Sequence, residues 1–172
     1  MIESPYVVFL DIDGVFTSAR VHLANNNGNG YSMWHKFDPI AIDFMNHIHD
    51  KYNVEFVLIS TWKNDRKLER PMDFHWVAAA FANAGFRGKW AYEWFSDPNN
   101  VRRLGENRAN EIVRMISEFG PNVKDFIIFD DTDYGFNRII GKKRWIRTTE
   151  ENGLTHKNML DALSIMGTWD AR

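Results

Sequence analysis

The chain has 172 residues, a formal net charge of −2 and no cysteine. This length suits one domain with a substantial core, so we expect residues 1–172 to form a single domain. The lack of cysteine excludes disulfides, thiolate metal sites and cysteine nucleophiles. The charge balance provides no overall basic field, so a nucleic-acid partner would have to bind a local patch. The N-terminus lacks the features of a signal peptide and no 18-residue apolar stretch follows, so we expect a cytoplasmic protein without a membrane partner.

The first chemical signal is Asp11-Ile12-Asp13-Gly14, which follows an apolar run that begins at Val7. Such a run predicts a buried strand at about residues 6–12, with both carboxylates at its carboxyl end. Open α/β sheets bind ligands at this edge. Two adjacent carboxylates repel each other unless a cation offsets them, so the pair favours a divalent metal. A solvated turn is the alternative, because aspartate and glycine are common turn residues.

Residues 17–38 are predicted to form a β-hairpin flap over this site. The asparagine- and glycine-rich run 25–30 is a strong turn signal, and residues 19–23 and 31–35 flank it as the two arms. The second arm carries Trp34, which is placed to stack on a nucleobase if the flap covers the site. A core or interface position is the commoner role for such a tryptophan.

The rest of the chain alternates between helices and strands. Apolar periodicity predicts helices at 39–51, 71–84 and 107–118, and strands at 54–60, 90–94, 125–129 and 143–147. This alternation indicates a parallel α/β sheet. Residues 64–104 are mostly occupied by one helix and one strand, which leaves no room for a large cap domain. We therefore expect an open site.

Two later strands also end in polar residues. Strand 54–60 ends in Ser60, and strand 125–129 is followed by Asp130 and Asp131. Between these strands, Arg108 lies at the start of helix 107–118 and supplies a cation. The structural alternative for Ser60 is a hydroxyl that caps a turn. The structural alternative for Asp130 and Asp131 is a solvated acidic turn.

This ordered set of motifs resembles the haloacid dehalogenase (HAD) superfamily of phosphotransferases over roughly residues 6–165. The resemblance implies an α/β, Rossmann-like HAD fold, with a central parallel sheet flanked by helices, a short β-hairpin flap and no large cap. Within the superfamily, the short flap and the segments 59–63 and 153–155 look most like small HAD domains of nucleic-acid end repair and nucleotide phosphatases.

The resemblance implies catalytic roles for the two aspartates of the first motif. Asp11 would attack phosphorus to form an aspartyl phosphate. Asp13 would protonate the leaving group and then activate water. Ser60 lies where the family places a hydroxyl that binds a phosphoryl oxygen, and Thr61 beside it is a rival.

The resemblance also implies a Mg²⁺ site. Its ligands would be the carboxylates of Asp11 and Asp130 and the backbone carbonyl of Asp13. Either Asp131 or Asp133 is a further ligand or supporting group, because this turn offers more acids than one ion needs.

The cation departs from the family pattern. The third motif of the family usually supplies a lysine that neutralises the nucleophile and the phosphoryl group, whereas this chain has Arg108 at the aligned helix start. An arginine can fill this role with two hydrogen bonds. Lys63 or Arg103 would be the alternative source of charge.

Together, these expectations predict that the protein is a Mg²⁺-dependent phosphomonoesterase that acts on a nucleotide or a nucleic-acid terminus. Two alternatives stay open from the sequence, namely a small-metabolite phosphatase and a non-catalytic HAD-fold binding protein. The sequence is compatible with an oligomer. It does not identify the substrate.

Overall fold

The computed structural model of the chain describes residues 2–25, 37–60, 74–91 and 107–169. These residues contain a five-stranded sheet, all of whose neighbouring pairs are parallel. The strands are β1 (Tyr6–Leu10), β2 (Glu55–Leu58), β3 (Lys89–Trp90), β4 (Asp125–Asp130) and β5 (Trp145–Arg147). Their order in the sheet is β3-β2-β1-β4-β5. The predicted parallel α/β fold is confirmed.

Six α-helices and one 3₁₀ helix accompany the sheet in the described residues. The α-helices are α1 (Ala19–Asn25), α2 (Pro39–Tyr52), α3 (Phe74–Asn83), α4 (Arg108–Phe119), α5 (Phe136–Ile139) and α6 (His156–Met166). The 3₁₀ helix spans Lys142–Arg144. None of the described helices is both long and apolar enough to cross a membrane.

The central strand β1 is buried on both faces of the sheet. Val8 and Leu10 pack in one hydrophobic cluster with residues of α2, α3 and α6, whereas Val7 and Phe9 pack in another with residues of α4 and α5. All four side chains are fully buried. Helices on both faces are the usual cover of a parallel sheet, because its strands have no solvated side.

Strand register brings the polar strand ends to one edge of the sheet. Leu10 pairs with Leu58 of β2 and Phe129 of β4. The next residues continue these ladders, since the Asp11 amide donates to the Phe129 carbonyl at 2.9 Å and the Ile59 amide donates to the Leu10 carbonyl at 2.8 Å. Ser60 therefore leaves the sheet at the same edge as the two buried acids at the ends of β1 and β4.

The prediction that residues 19–23 form a strand, as the first arm of a β-hairpin flap, is wrong. Residues 19–23 belong to helix α1, whose start is capped by the Ser18 hydroxyl oxygen, which accepts from the Val21 amide at 3.3 Å. An alternating strand would have buried Leu23 together with Val21, yet Leu23 is 76% exposed. Residues 26–36, which include most of the predicted turn and the whole second arm, lie outside the described residues.

The other predicted helices and strands are present among the described residues, and residues 71–73 and 92–94 of two of them lie outside those residues. Residues 143–144 of the predicted last strand belong to the 3₁₀ helix instead, and β5 begins at Trp145. Helix α6 was not predicted, although its sequence contains a start signal. The Thr155 hydroxyl oxygen accepts from the Asn158 amide, and the Asn158 side chain accepts from the Thr155 amide, which is a capping box.

Candidate active site

Asp11 is held rigidly where β1 ends. The residue is 4% exposed, and its Oδ1 accepts from the Ile12 amide at 2.8 Å. The chain then turns back sharply, because the Ile12 carbonyl accepts from the amides of Val15, Phe16 and Thr17. Asp11 thus presents its carboxylate from a tight turn at the edge of the sheet.

Asp130 is the last residue of β4 and is fully buried. Its Oδ1 accepts from the Thr132 amide at 2.9 Å. Its backbone carbonyl accepts from Trp145 Nε1 at 2.9 Å and from the Thr148 amide at 3.2 Å. These bonds fix both the backbone and the carboxylate of Asp130.

Arg108 joins the two acids from the first residue of α4. Its Nη1 donates to Asp11 Oδ2 at 2.5 Å and to Asp130 Oδ2. Asn107 caps the helix by accepting from the Asn110 amide, which fixes the backbone beside Arg108. The guanidinium also lies over the Tyr134 ring, with its carbon 4.2 Å from the ring centroid.

Arg108 is 1% exposed, so the charges meet in a dry environment. Burial lowers the pKa of its guanidinium, but Asp11 and Asp130 outweigh this effect and raise the pKa above its usual value. Its Nε is buried without a partner among the described residues. The site therefore contains a permanent cation with one unused N–H group.

The same burial acts in the opposite direction on Asp130. Burial raises its pKa to about 7, and the neighbouring Asp11 adds to this rise, whereas Arg108 and the Thr132 amide partly offset it. The raised pKa of Asp130 agrees with the geometry of the site. Two carboxylates share one guanidinium, so one negative charge would be left over if both were ionised.

A third acid completes a set of oxygen ligands. Asp11, Asp130 and Asp131 each offer one carboxylate oxygen, and these atoms lie within 4.8 Å of one another. Hard cations such as Mg²⁺ prefer oxygen ligands of this kind, so the donor set fits the expected metal. Gly14 allows the approach of Asp131, since its φ is +70° and a Cβ there would lie 2.6 Å from Asp131 Oδ2.

The two acids left open for the acidic turn, Asp131 and Asp133, lie in different surroundings. Asp133 does not belong to this set of acids, because it accepts from the Gly135 amide at 3.0 Å and from Asn137 Nδ2 at 2.7 Å. Its slight burial raises the pKa, but the hydrogen bonds from Asn137 and Gly135 outweigh this and lower it. Asp133 thus stabilises the start of α5.

Asp13 is exposed and lies outside the buried ion pairs. Its Oδ1 accepts from Thr17 Oγ1 at 3.0 Å, which orients the carboxylate, and it lines an open cleft beside the turn. An exposed carboxylate next to the buried Asp11 is accessible to a substrate.

Ser60 is fully buried at the carboxyl edge of the sheet, one residue beyond the ladder that joins β2 to β1. The other residues expected to contact the substrate, Thr61 and Trp34, lie outside the described residues. The same holds for Lys63 and Arg103, which were the alternative cations.

Sequence reasoning missed the contribution of Tyr134. Its ring supports the Arg108 guanidinium, and its backbone carbonyl accepts from the Ala109 amide at 3.4 Å. The sequence gives no signal for this contact, because it joins residues of α4 to the loop after β4.

Comparison with known proteins agrees with this architecture. The family model described as "HAD domain in Swiss Army Knife RNA repair proteins" matches residues 7–159, well over half of the chain. This span includes Asp11, Arg108 and Asp130. No curated protein and no solved structure shows a significant match to the chain.

The first prediction concerns the buried cation. Arg108→Met should lower the free energy of unfolding by about 3–5 kcal/mol in the presence of chelator, because it leaves two buried carboxylates without a counter-charge. Arg87→Met is the matched control, since Arg87 pairs with Asp50 on the surface, where both side chains are more than half exposed. That control should lose less than about 1 kcal/mol. Urea denaturation of both variants provides the measurement, and equal losses would contradict the account.

The second prediction concerns pH. The pKa of Asp130 rises from an ordinary value of 3.8 to about 7 on folding, so the folded protein binds an extra proton between these values. The contribution of Asp130 to stability is therefore lost as pH rises through about 7. In chelator, the free energy of unfolding of the wild type relative to Asp130→Asn should fall between pH 5 and pH 8. If the difference in unfolding free energy between the wild type and Asp130→Asn stays constant over this range, burial does not raise the pKa of Asp130.

Proposed function

Because the chain belongs to the family of HAD domains found in Swiss Army Knife RNA repair proteins, we propose that it is a Mg²⁺-dependent phosphomonoesterase. Its substrate is the terminal phosphate of a nucleotide or a nucleic acid. The supporting observation is the buried Arg108 between Asp11 and Asp130 at the carboxyl edge of the sheet, with Asp131 beside them. The family description supports a nucleic-acid substrate, because it names RNA repair.

In this proposal Asp11 is the nucleophile. A carboxylate oxygen of Asp11 attacks phosphorus, the bond between phosphorus and the ester oxygen breaks, and an aspartyl phosphate forms. Hydrogen bonds from Ile12 and Arg108 hold the carboxylate in one orientation before the reaction. Such preorganisation lowers the entropic cost of reaching the transition state.

Asp13 acts as the general acid and base. It donates a proton to the leaving oxygen and then takes a proton from the water that hydrolyses the aspartyl phosphate. Its exposure and its hydrogen bond to Thr17 support this role, since the group is both accessible and oriented.

Arg108 provides the fixed positive charge. It offsets the charge of Asp11 and Asp130 in the free protein, and its positive charge also attracts the anionic phosphoryl group. We assign Ser60 and Thr61 to the binding of phosphoryl oxygens, and Trp34 to stacking on the base.

The metal site consists of Asp11, Asp130 and the backbone carbonyl of Asp13, with Asp131 as the added carboxylate. When bound there, Mg²⁺ supplies positive charge to the phosphoryl oxygens. The three carboxylates offer oxygen ligands only, which suits this ion better than a soft transition metal.

The third prediction concerns the metal. Excess chelator should abolish phosphate release from a nucleoside monophosphate, and added Mg²⁺ should restore it, because the carboxylates repel an anionic substrate without a counter-ion. Ca²⁺ should inhibit the restored activity, since its higher coordination number alters the geometry of transfer. Full activity in excess chelator would exclude the proposed metal site.

The fourth prediction concerns the nucleophile. Asp11→Asn should lower kcat at least about a thousandfold while the circular dichroism spectrum stays unchanged, because the amide keeps the shape and loses the nucleophilic oxygen. Asp13→Asn should cause a similar loss with nucleotides and a smaller one with p-nitrophenyl phosphate, whose leaving group needs no proton. Asp161→Asn, an exposed change on α6, is the control and should keep wild-type activity. Substantial turnover by Asp11→Asn would rule out covalent catalysis by this residue.

A further inference from the structure

A cavity of about 480 Å³ lies at the edge of the sheet opposite to the candidate active site. Asp125, the first residue of β4, lines this cavity, whereas Asp130 at the other end of the same strand belongs to the active site. Five residue steps along a strand span about 17 Å. None of the described residues that line the cavity belongs to the active site, so a ligand bound here would not touch the reacting groups.

The lining of this cavity carries an excess of positive charge. Three successive cations, Lys142, Lys143 and Arg144 of the 3₁₀ helix, line it. Asp125 is the one acid among the described lining residues, and its charge is offset by Arg144, whose Nε donates to Asp125 Oδ1 at 2.7 Å. Lys142 and Lys143 are exposed and pair with no acid among the described residues. Because the whole chain has a formal charge of −2, this excess is local.

Arg144 is held in place without a ligand. Besides the bond to Asp125, its guanidinium carbon lies 5.0 Å from the centroid of the Phe126 ring. The side chain is partly exposed, and its two terminal nitrogens have no hydrogen-bond partner among the described residues. A fixed guanidinium with free N–H groups is suited to the oxygens of an anion such as phosphate.

The backbone before the three cations depends on a glycine. Gly141 has a φ of +96° and a ψ of 148°, a combination that is essentially restricted to glycine. Its amide donates to the Phe136 carbonyl at 2.8 Å, which anchors this turn to α5. The 3₁₀ helix begins at the next residue. The cations therefore follow a fixed turn.

The rest of the lining is apolar or neutral. Ile140 and Ile165 provide apolar surface, and Ser164 and Thr168 provide hydroxyl groups. The Thr168 hydroxyl already donates to the Ile165 carbonyl at 2.8 Å, so Ser164 is the better donor to a ligand. The volume is within the usual range of small-molecule sites, which combine apolar walls with a few polar groups. The cavity thus suits an anion that carries an apolar or ring-bearing body.

We propose that this cavity is a second phosphate-binding site, separate from the catalytic one, and that its ligand is a phosphate monoester with a ring-bearing body. The three terminal oxygens of the phosphate accept hydrogen bonds from Lys142, Lys143 and Arg144. The organic body packs against Ile140 and Ile165. Because no catalytic group lines the cavity, this inference does not depend on the proposed function.

Amide chemical shifts in NMR spectra locate the binding. AMP is titrated into isotope-labelled protein in excess chelator, and the same spectra verify that the AMP stays intact. The amides of residues 140–144 and 164–168 should shift until the site is saturated. In Lys142→Gln/Lys143→Gln, the Kd obtained from these amides should rise about tenfold or more, because charge-assisted hydrogen bonds are lost. The amides of residues 11–14 report binding at the catalytic site separately.

Two further variants distinguish a built site from a general attraction of anions. Lys51→Gln/Lys157→Gln removes two positive charges outside the cavity lining and should keep the wild-type Kd. Arg144→Lys keeps the positive charge and loses the planar fork, so it should raise the Kd. If the control double variant weakens binding as much as Lys142→Gln/Lys143→Gln does, the attraction is general and the inference fails.

The ligand series decides which chemistry the cavity recognises. Absence of saturable shifts at residues 140–144 and 164–168 with millimolar AMP would overturn the inference, and so would equal shifts with adenosine, which lacks the phosphate. Tighter binding of an oligonucleotide that ends in hydroxyl groups would overturn it in favour of a nucleic-acid strand. Tighter binding of an oligoglutamate peptide would overturn it in favour of an acidic protein partner. None of these measurements uses catalysis, so failure of the proposed function is detected separately, as absence of phosphate release.

Discussion

The buried contact of Arg108 with Asp11 and Asp130 is the constraint on which the rest of the site depends. Two carboxylates at the ends of adjacent parallel strands meet where water is excluded, and an unpaired buried charge costs several kcal/mol. Arg108 removes that cost, and because it lies on α4 it also ties this helix to the functional edge of the sheet. An arginine suits the position better than a lysine, since it stays charged when buried and its plane packs on Tyr134.

The remaining geometry follows from this contact. Asp11 and Asp130 are each fixed by a backbone amide on one oxygen and by Arg108 on the other. Asp131 approaches the pair only because Gly14 has no side chain. Buried charge and exposed charge are thus divided between two regions, since Asp13 lies at the edge of the open cleft and keeps its accessibility. In the proposed mechanism, this division places the nucleophile in the dry region and the proton donor beside the leaving group.

Much of this architecture could be predicted from the sequence, because parallel strands end at one edge. The apolar runs before Asp11, Ser60 and Asp130 predict that these residues lie near one another, and the order of motifs predicts the family. The failures have local or long-range causes. The cap formed by Ser18 favours a helix where the asparagine-rich run indicated a hairpin. The capping box of α6 is a start signal outside the apolar patterns on which the predictions rest. The preference for Asp131 over Asp133 depends on contacts with Gly14 and Asn137, which no sequence pattern reveals.

The central claim is that Asp11 receives the phosphoryl group next to a metal held by the neighbouring acids. A crystal structure of the protein with Mg²⁺ and beryllium fluoride, which imitates a bound phosphoryl group, tests it most directly. The account predicts beryllium bonded to a carboxylate oxygen of Asp11, with Mg²⁺ held by Asp130 and the fluorides within reach of Arg108. Beryllium fluoride bonded to another side chain, or Mg²⁺ bound away from Asp11 and Asp130, would contradict it.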